Sequence, residues 1–82
     1  MTDRENRLRR LKIRSWRRGT KEMDLILGSF WDAHGSSLDD GTLDLYEQLL
    51  IENDQDLYRW CSGQAVPPDR FAGMISQVMQ GR

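Results

Sequence analysis

The chain has 82 residues, 38% of them hydrophobic and 30% charged, with a net charge of −1; this is the size and balance of one compact domain with a thin core. No apolar run approaches the roughly 20 residues that cross a bilayer, and the basic N-terminus lacks the apolar segment of a secretory signal. A single cysteine, Cys61, and a single histidine, His34, exclude an internal disulfide and Cys-based zinc sites and leave most metal and triad chemistry without ligands.

The periodicity is helical throughout, and no stretch alternates as a strand would. The spacing predicts a first helix over about residues 4–16, with Leu8, Leu11 and Trp16 on one broad side and Arg10, Arg14 and Arg17 gathered on the other. Arg18-Gly19 breaks it. A second helix over about residues 21–34 carries Met23, Ile26, Leu27, Phe30 and His34 on one face, with Leu25 outside that stripe. Gly28 inside it costs about 1 kcal/mol relative to Ala unless a neighbouring helix needs the close approach. Gly35 is expected to supply the left-handed residue that ends this helix. Asp39 is the N-cap expected for a third helix carrying Leu43, Tyr46, Leu49 and Leu50 inward, and Asp54 for a short fourth one with Leu57, Trp60 and Cys61 on a face. Pro68 suits the first position of a fifth helix, residues 68–80, which buries Phe71, Met74, Ile75 and Val78. The expected fold is all-α: a five-helix bundle in a single domain over residues 1–82, with an ordered core at about 7–80.

The catalytic inventory is nearly empty. His34 falls on a core stripe and reads as a satisfied, buried or half-buried histidine. Cys61 shares a face with Leu57 and Trp60 and reads as a small hydrophobe. Asp54-x-Asp56 begins like a calcium loop, but Arg59 stands where that loop needs glycine and Ala65 where it needs a bidentate glutamate. The scattered glycines form no phosphate loop or dinucleotide fingerprint. No catalytic, metal-binding or cofactor-binding residue is therefore assigned.

The small net charge hides a division. Residues 1–22 hold nine Lys/Arg against three acids, and residues 23–60 hold nine acids against Arg59 alone. Such asymmetry serves intramolecular attraction, partner docking or nucleic-acid binding equally well. A basic first helix makes a nucleic-acid-binding or regulatory protein the alternative reading, whereas the near-neutral whole and a tryptophan on the core side weigh against it.

The junction Arg17-Arg18-Gly19-Thr20-Lys21-Glu22-Met23-Asp24 is the most informative segment. Gly19 lets the chain turn tightly. Glu22, in the first turn of the second helix, faces the positive end of its dipole and is placed to cap an amide. Arginines and a glutamate on a tight corner also make a good docking surface, because arginine grips carboxylates in two-pronged fashion.

This segment resembles the Arg-Gly-x-x-Glu signature of the succinate dehydrogenase FAD-attachment factors, the flavinators. A second stretch agrees in order and spacing: Tyr46-Glu47-Gln48-Leu49-Leu50, then Asp54-x-Asp56-Leu57-Tyr58-Arg59-Trp60. The resemblance spans about residues 7–80. It implies an assembly chaperone rather than an enzyme, with no stably bound cofactor of its own. Its partner would be the flavoprotein subunit of succinate dehydrogenase, and also that of fumarate reductase, and it would promote the bond between a histidine of that subunit and the 8α carbon of FAD. Carried onto this chain, the signature residues are Arg18, Gly19 and Glu22, with Arg17, Asp24, Arg14 and Arg10 as added docking surface. In this reading Gly19 permits close backbone approach, Arg18 bonds across the interface and Glu22 orients a donor of the partner. A monomer is expected, and the absence of an evident targeting extension favours the bacterial cytoplasm over a mitochondrial precursor, although a processed mature chain would look similar.

Overall fold

A computed structural model of the chain describes residues 2–80; Met1, Gly81 and Arg82 lie outside the described residues, so the two ends of the expected domain range fall there. Five α-helices follow one another: α1 (Asp3–Trp16), α2 (Lys21–His34), α3 (Asp40–Leu49), α4 (Asp54–Cys61) and α5 (Asp69–Gln80), with a 3-10 turn at Gly35–Ser37. The described residues contain no strand. Helix α2 runs through the middle and packs on α1, α4 and α5, while α5 also meets α3 and α4. The expected stripes supply the core: Leu11, then Met23, Ile26, Leu27, Phe30 and Trp31, then Leu43, Tyr46, Leu49 and Leu50, closed by Leu57, Cys61, Phe71, Met74, Ile75 and Val78.

Side-chain caps set where the helices begin. Thr2, Thr20, Asp39 and Asn53 each accept an N–H from the first turn of the following helix, satisfying a donor that has no partner inside the helix. The cap of α4 is therefore Asn53, not Asp54, which is the first helical residue and is committed elsewhere. Helix α5 starts one residue after Pro68, whose carbonyl accepts from Phe71 and Ala72. At the end of α4, Gly63 adopts φ 81°, and the Gln64 N–H reaches back to the Arg59 carbonyl at 2.9 Å, a glycine-terminated closure that a Cβ would strain.

Two glycines are spacing devices. Trp16 lies flat on Gly28, where a Cβ would sit 2.3 Å from the indole; this close approach is what the glycine inside α2 makes possible. Gly35 does the same for Trp31, at 2.4 Å. The expectation that Gly35 ends α2 in a left-handed conformation fails, because its φ is −54°. Glycine is needed there for the ring and not for the turn.

One buried polar link was not anticipated. Ser15, completely buried on α1, donates to the Leu11 carbonyl at 2.7 Å and lies 2.6 Å from the Tyr46 hydroxyl. The Ser15–Tyr46 hydroxyl pair ties α1 to α3, and the Tyr46 O–H also donates to the Leu27 carbonyl at 3.4 Å. Burial pushes the Tyr46 phenol up to about 12, against the opposing Ser15 bond and the positive Arg18 and Arg14. Its neutral form is the one the fold holds.

Part of the charge division is spent within the molecule. Arg4 pairs with Asp40 at 2.8 Å, Arg7 with Asp44 at 2.6 Å and Glu47 at 3.4 Å, and Lys12 approaches Asp32 at 3.9 Å. The first turns of α1 are thereby tied to α3, ahead of the expected core start at residue 7. These pairs are mostly exposed, and each contributes little on its own.

Candidate functional site

The corner between α1 and α2 is built from its first residue outward. Helix α1 ends at Trp16, and the backbone of Arg17 (φ −116°, ψ 59°) leaves the helix. Thr20 then caps α2, its hydroxyl accepting from Met23 N–H at 3.3 Å. Asp24 folds back so that its carboxylate accepts the Arg18 N–H at 2.5 Å. Cap and fold-back together hold the corner from the α2 side. Asp24, not Glu22, is thus the acid that captures a backbone amide.

Arg18 turns inward. Its side chain is 10% exposed and that of Asp54 15%. Nε–H donates to Asp54 Oδ1 at 2.8 Å, Nη1–H to the Leu50 carbonyl at 2.8 Å and Nη2–H to the Glu52 carbonyl at 3.0 Å. Leu50 is the C-cap of α3, so the guanidinium sits on the negative end of one helix dipole and is neutralised by a carboxylate at the start of the next. Asp54 Oδ2 accepts the Gly19 N–H. A Cβ on Gly19 would lie 2.6 Å from that same oxygen, and any shift of Asp54 to make room pulls on the oxygen that Arg18 holds.

These contacts correct two roles expected from the sequence. The close approach that Gly19 permits is to Asp54 of its own chain. The charge-assisted bonds of Arg18 likewise run to Asp54 and two carbonyls within the fold, because its planar fork fits the gap between α3 and α4 and leaves little of it exposed. Thr20, Lys21, Glu22 and Arg17 stay exposed around this inner anchor, so the bend remains open to a visitor. Glu22 forms no ion pair or hydrogen bond among the described residues. Arg10 is exposed and Arg14 half-buried; along with Arg9, Arg17 and Lys21 they form no ion pair among the described residues.

His34 also departs from expectation. It is exposed at the end of α2, its ring 5.4 Å from Phe30, because Trp31 rather than His34 continues the buried stripe. It borders an open cleft of about 460 Å³ with Phe30, Leu38 and Gln77. Among the described residues no group of three or more His, Cys, Asp or Glu gathers as metal ligands would.

A family model described as the flavinator of succinate dehydrogenase matches residues 9–81. The chain belongs to this family. It is 46% identical to succinate dehydrogenase assembly factor 2, mitochondrial, of Meyerozyma guilliermondii over 59 residues, which is 72% of this chain and 44% of that protein. The protein of the same name from Schizosaccharomyces pombe is 38% identical over 77 residues, 94% of this chain and 54% of that one. The Arabidopsis thaliana protein is 37% identical over 90 residues, 98% and 47% respectively. The chain spans about half, or less, of the length of the curated relatives it matches. These names overturn the expected bacterial cytoplasm, since the relatives are mitochondrial proteins of fungi and a plant. They lend no support to the nucleic-acid alternative.

Sequence reasoning missed the partner of Arg18. Asp54 belongs to the second matching stretch, so the two motifs that carry the resemblance are the two halves of one bonded corner. Tyr58, one turn along α4 from Asp54, was also missed as a surface residue; its 41% exposure depends on how α4 lies against α2.

Proposed function

We propose that this chain is an assembly factor that binds the flavoprotein subunit of succinate dehydrogenase and promotes covalent attachment of FAD to a histidine of that subunit. Family membership supports the reading, and so does the wording of the relatives' names as succinate dehydrogenase assembly factors. The structural observation that carries it is the corner: Arg18, Asp54 and Gly19 lock its inner side while Glu22, Thr20, Lys21 and Arg17 face outward. A pre-set surface loses little entropy on docking and can hold a mobile partner in one arrangement.

The chemical division of labour follows. The attachment step needs the flavin methyl to lose a proton and a histidine nitrogen to add to that carbon while giving up its own proton, with the electron pair passing into the flavin ring, which is left reduced; a misplacement of about 1 Å can cost on the order of 10²-fold in rate. The chain therefore acts as a positioning surface, a monomer that is not itself an enzyme, with the nucleophile and the bound FAD belonging to the client. Glu22 orients a donor group of that client, and Arg17, Arg10 and Arg14 extend the contact along α1. The flavoprotein subunit of fumarate reductase is a second client of the same kind.

The test is co-expression with each flavoprotein subunit, reading covalent flavin by in-gel fluorescence. Glu22→Ala should lower labelling severalfold while leaving stability within about 0.5 kcal/mol, as expected for an exposed side chain. Labelling that is equal with the wild-type chain, with Glu22→Ala and with no chain at all refutes the proposal.

A further inference from the structure

Two clefts open beside Glu22 and share it. One, of about 310 Å³, lies among Thr20, Asp54, Gln55 and Tyr58; the other, of about 300 Å³, runs between Leu25 and Ile26 of α2 and Tyr58, Cys61 and Met79 of the facing helices. Tyr58 is common to both. Five large apolar side chains are prominently exposed among the described residues, and two of them, Leu25 at 43% and Tyr58 at 41%, meet on this cleft from helices far apart in sequence. The remaining three, Ile13, Ile51 and Val66, line neither cleft.

The two clefts differ chemically. Both oxygens of Asp54 are engaged by Arg18 and Gly19, so the carboxylate left to face a visitor is that of Glu22. A carboxylate next to an apolar trough selects a cationic side chain with a large apolar neighbour. The Tyr58 ring between the two can pack along the stem of the cation or against its charged head. An acidic segment would be repelled by Glu22. Each cleft is open and at the small end of what ligand pockets occupy, which matches a single inserted side chain of a partner and not an enclosed small molecule.

We propose that this trough receives a segment of the client flavoprotein in which a Lys or Arg pairs with Glu22 and an adjacent large apolar side chain seats between Leu25, Tyr58 and Met79. The proposal rests on the assembly-factor reading and adds to it the chemistry of the contacted segment. Tyr58 is the anchor of this contact, since a rigid aromatic at the centre of a patch carries a disproportionate share of binding.

The experiment measures binding of the whole chain to the purified flavoprotein subunit of succinate dehydrogenase, by calorimetry or interferometry. Tyr58→Ala and Leu25→Ser should each weaken binding at least about tenfold, with circular dichroism showing unchanged helix content. Ile51→Ser and Val66→Ser, equally apolar and exposed elsewhere, should change it less than about twofold. A photo-crosslinking Tyr58→p-benzoylphenylalanine variant, followed by mass spectrometry, should join a flavoprotein peptide that carries a basic residue beside a large apolar one. If the wild type binds and the Tyr58 and Leu25 variants bind as the controls do, the trough is refuted while the assembly-factor reading stands. A crosslink to an acidic segment, or between two copies of this chain, also refutes it. If the wild-type chain does not bind the flavoprotein, both readings fall together.

Discussion

Replacing Asp54 with alanine removes the bridge between the corner and α4, and the consequence can be worked from the geometry. The Arg18 guanidinium would lose its 2.8 Å carboxylate partner while remaining 10% exposed, held only by the Leu50 and Glu52 carbonyls. The Gly19 N–H would lose its acceptor as well. Unpairing one member of a buried ion pair costs about 3–5 kcal/mol. The lower end applies here, because two carbonyls still solvate the charge and the pair has an edge open to water. An 82-residue domain has roughly 4–12 kcal/mol of stability in all, so a loss of about 3 kcal/mol leaves it folded but visibly weakened. In urea the midpoint, followed by far-ultraviolet circular dichroism, should fall by about 2–3 M for a slope near 1 kcal/mol/M. Arg18→Ala should cost a similar amount, and the double variant clearly less than the two together, since each single change already breaks the same bond. Covalent flavin on the client should fall in step with the loosening of the corner, although Asp54 itself presents no free oxygen to a partner. A midpoint shift below about 0.5 M for Asp54→Ala, or strict additivity in the double variant, would refute the lock.

Three other outcomes follow from particular contacts. Gly19→Ala places a Cβ 2.6 Å from Asp54 Oδ2 and should destabilise by about 1–3 kcal/mol, as overpacking does, and lower flavin attachment; an unchanged melting curve would show that Asp54 can move aside. Gly28→Ala improves helix propensity by about 1 kcal/mol yet drives a Cβ to 2.3 Å from the Trp16 indole, so the net effect should be destabilising, with a changed tryptophan emission reporting displacement of the ring. Tyr46, pushed up to about 12 by burial, contributes stability that is complete below pH 10. That contribution is lost as pH rises from about 10 to about 12, amounting to about 2–3 kcal/mol. Urea midpoints of wild type and Tyr46→Phe should therefore converge over that window, and parallel curves would contradict the assignment.

The bundle was legible in the chain because apolar spacing encodes it. The stripes on α2 and α5, the Asp39 cap and the bounds of α2 at residues 21–34 all depend on interactions within a few residues, where periodicity and capping chemistry dominate. Local rules misplaced what other helices decide. His34 lies within the arc that a helical wheel assigns to the core, but Trp31 turns over Gly35 and fills that volume first, leaving the histidine outside. Gly35 has the composition of a helix terminator and the backbone of a helical residue, because its reason for being glycine is a ring from its own helix.

The candidate site divides along the same line. The sequence by itself determined that the α1–α2 corner is tight, charged and placed on an all-helical domain, since glycine, threonine cap and arginines act over one turn of chain. Which of those charges face outward was decided only by tertiary structure. Arg17 and Arg18 are adjacent and chemically identical, yet one is exposed and the other nearly buried, because a carboxylate and two carbonyls lie within reach of Arg18 alone. Asp54 sits 36 residues from Arg18, and no local pattern encodes a bond across that distance; it exists because the end of α3 and the start of α4 are packed against the corner, where an unpaired guanidinium or carboxylate would be costly to bury.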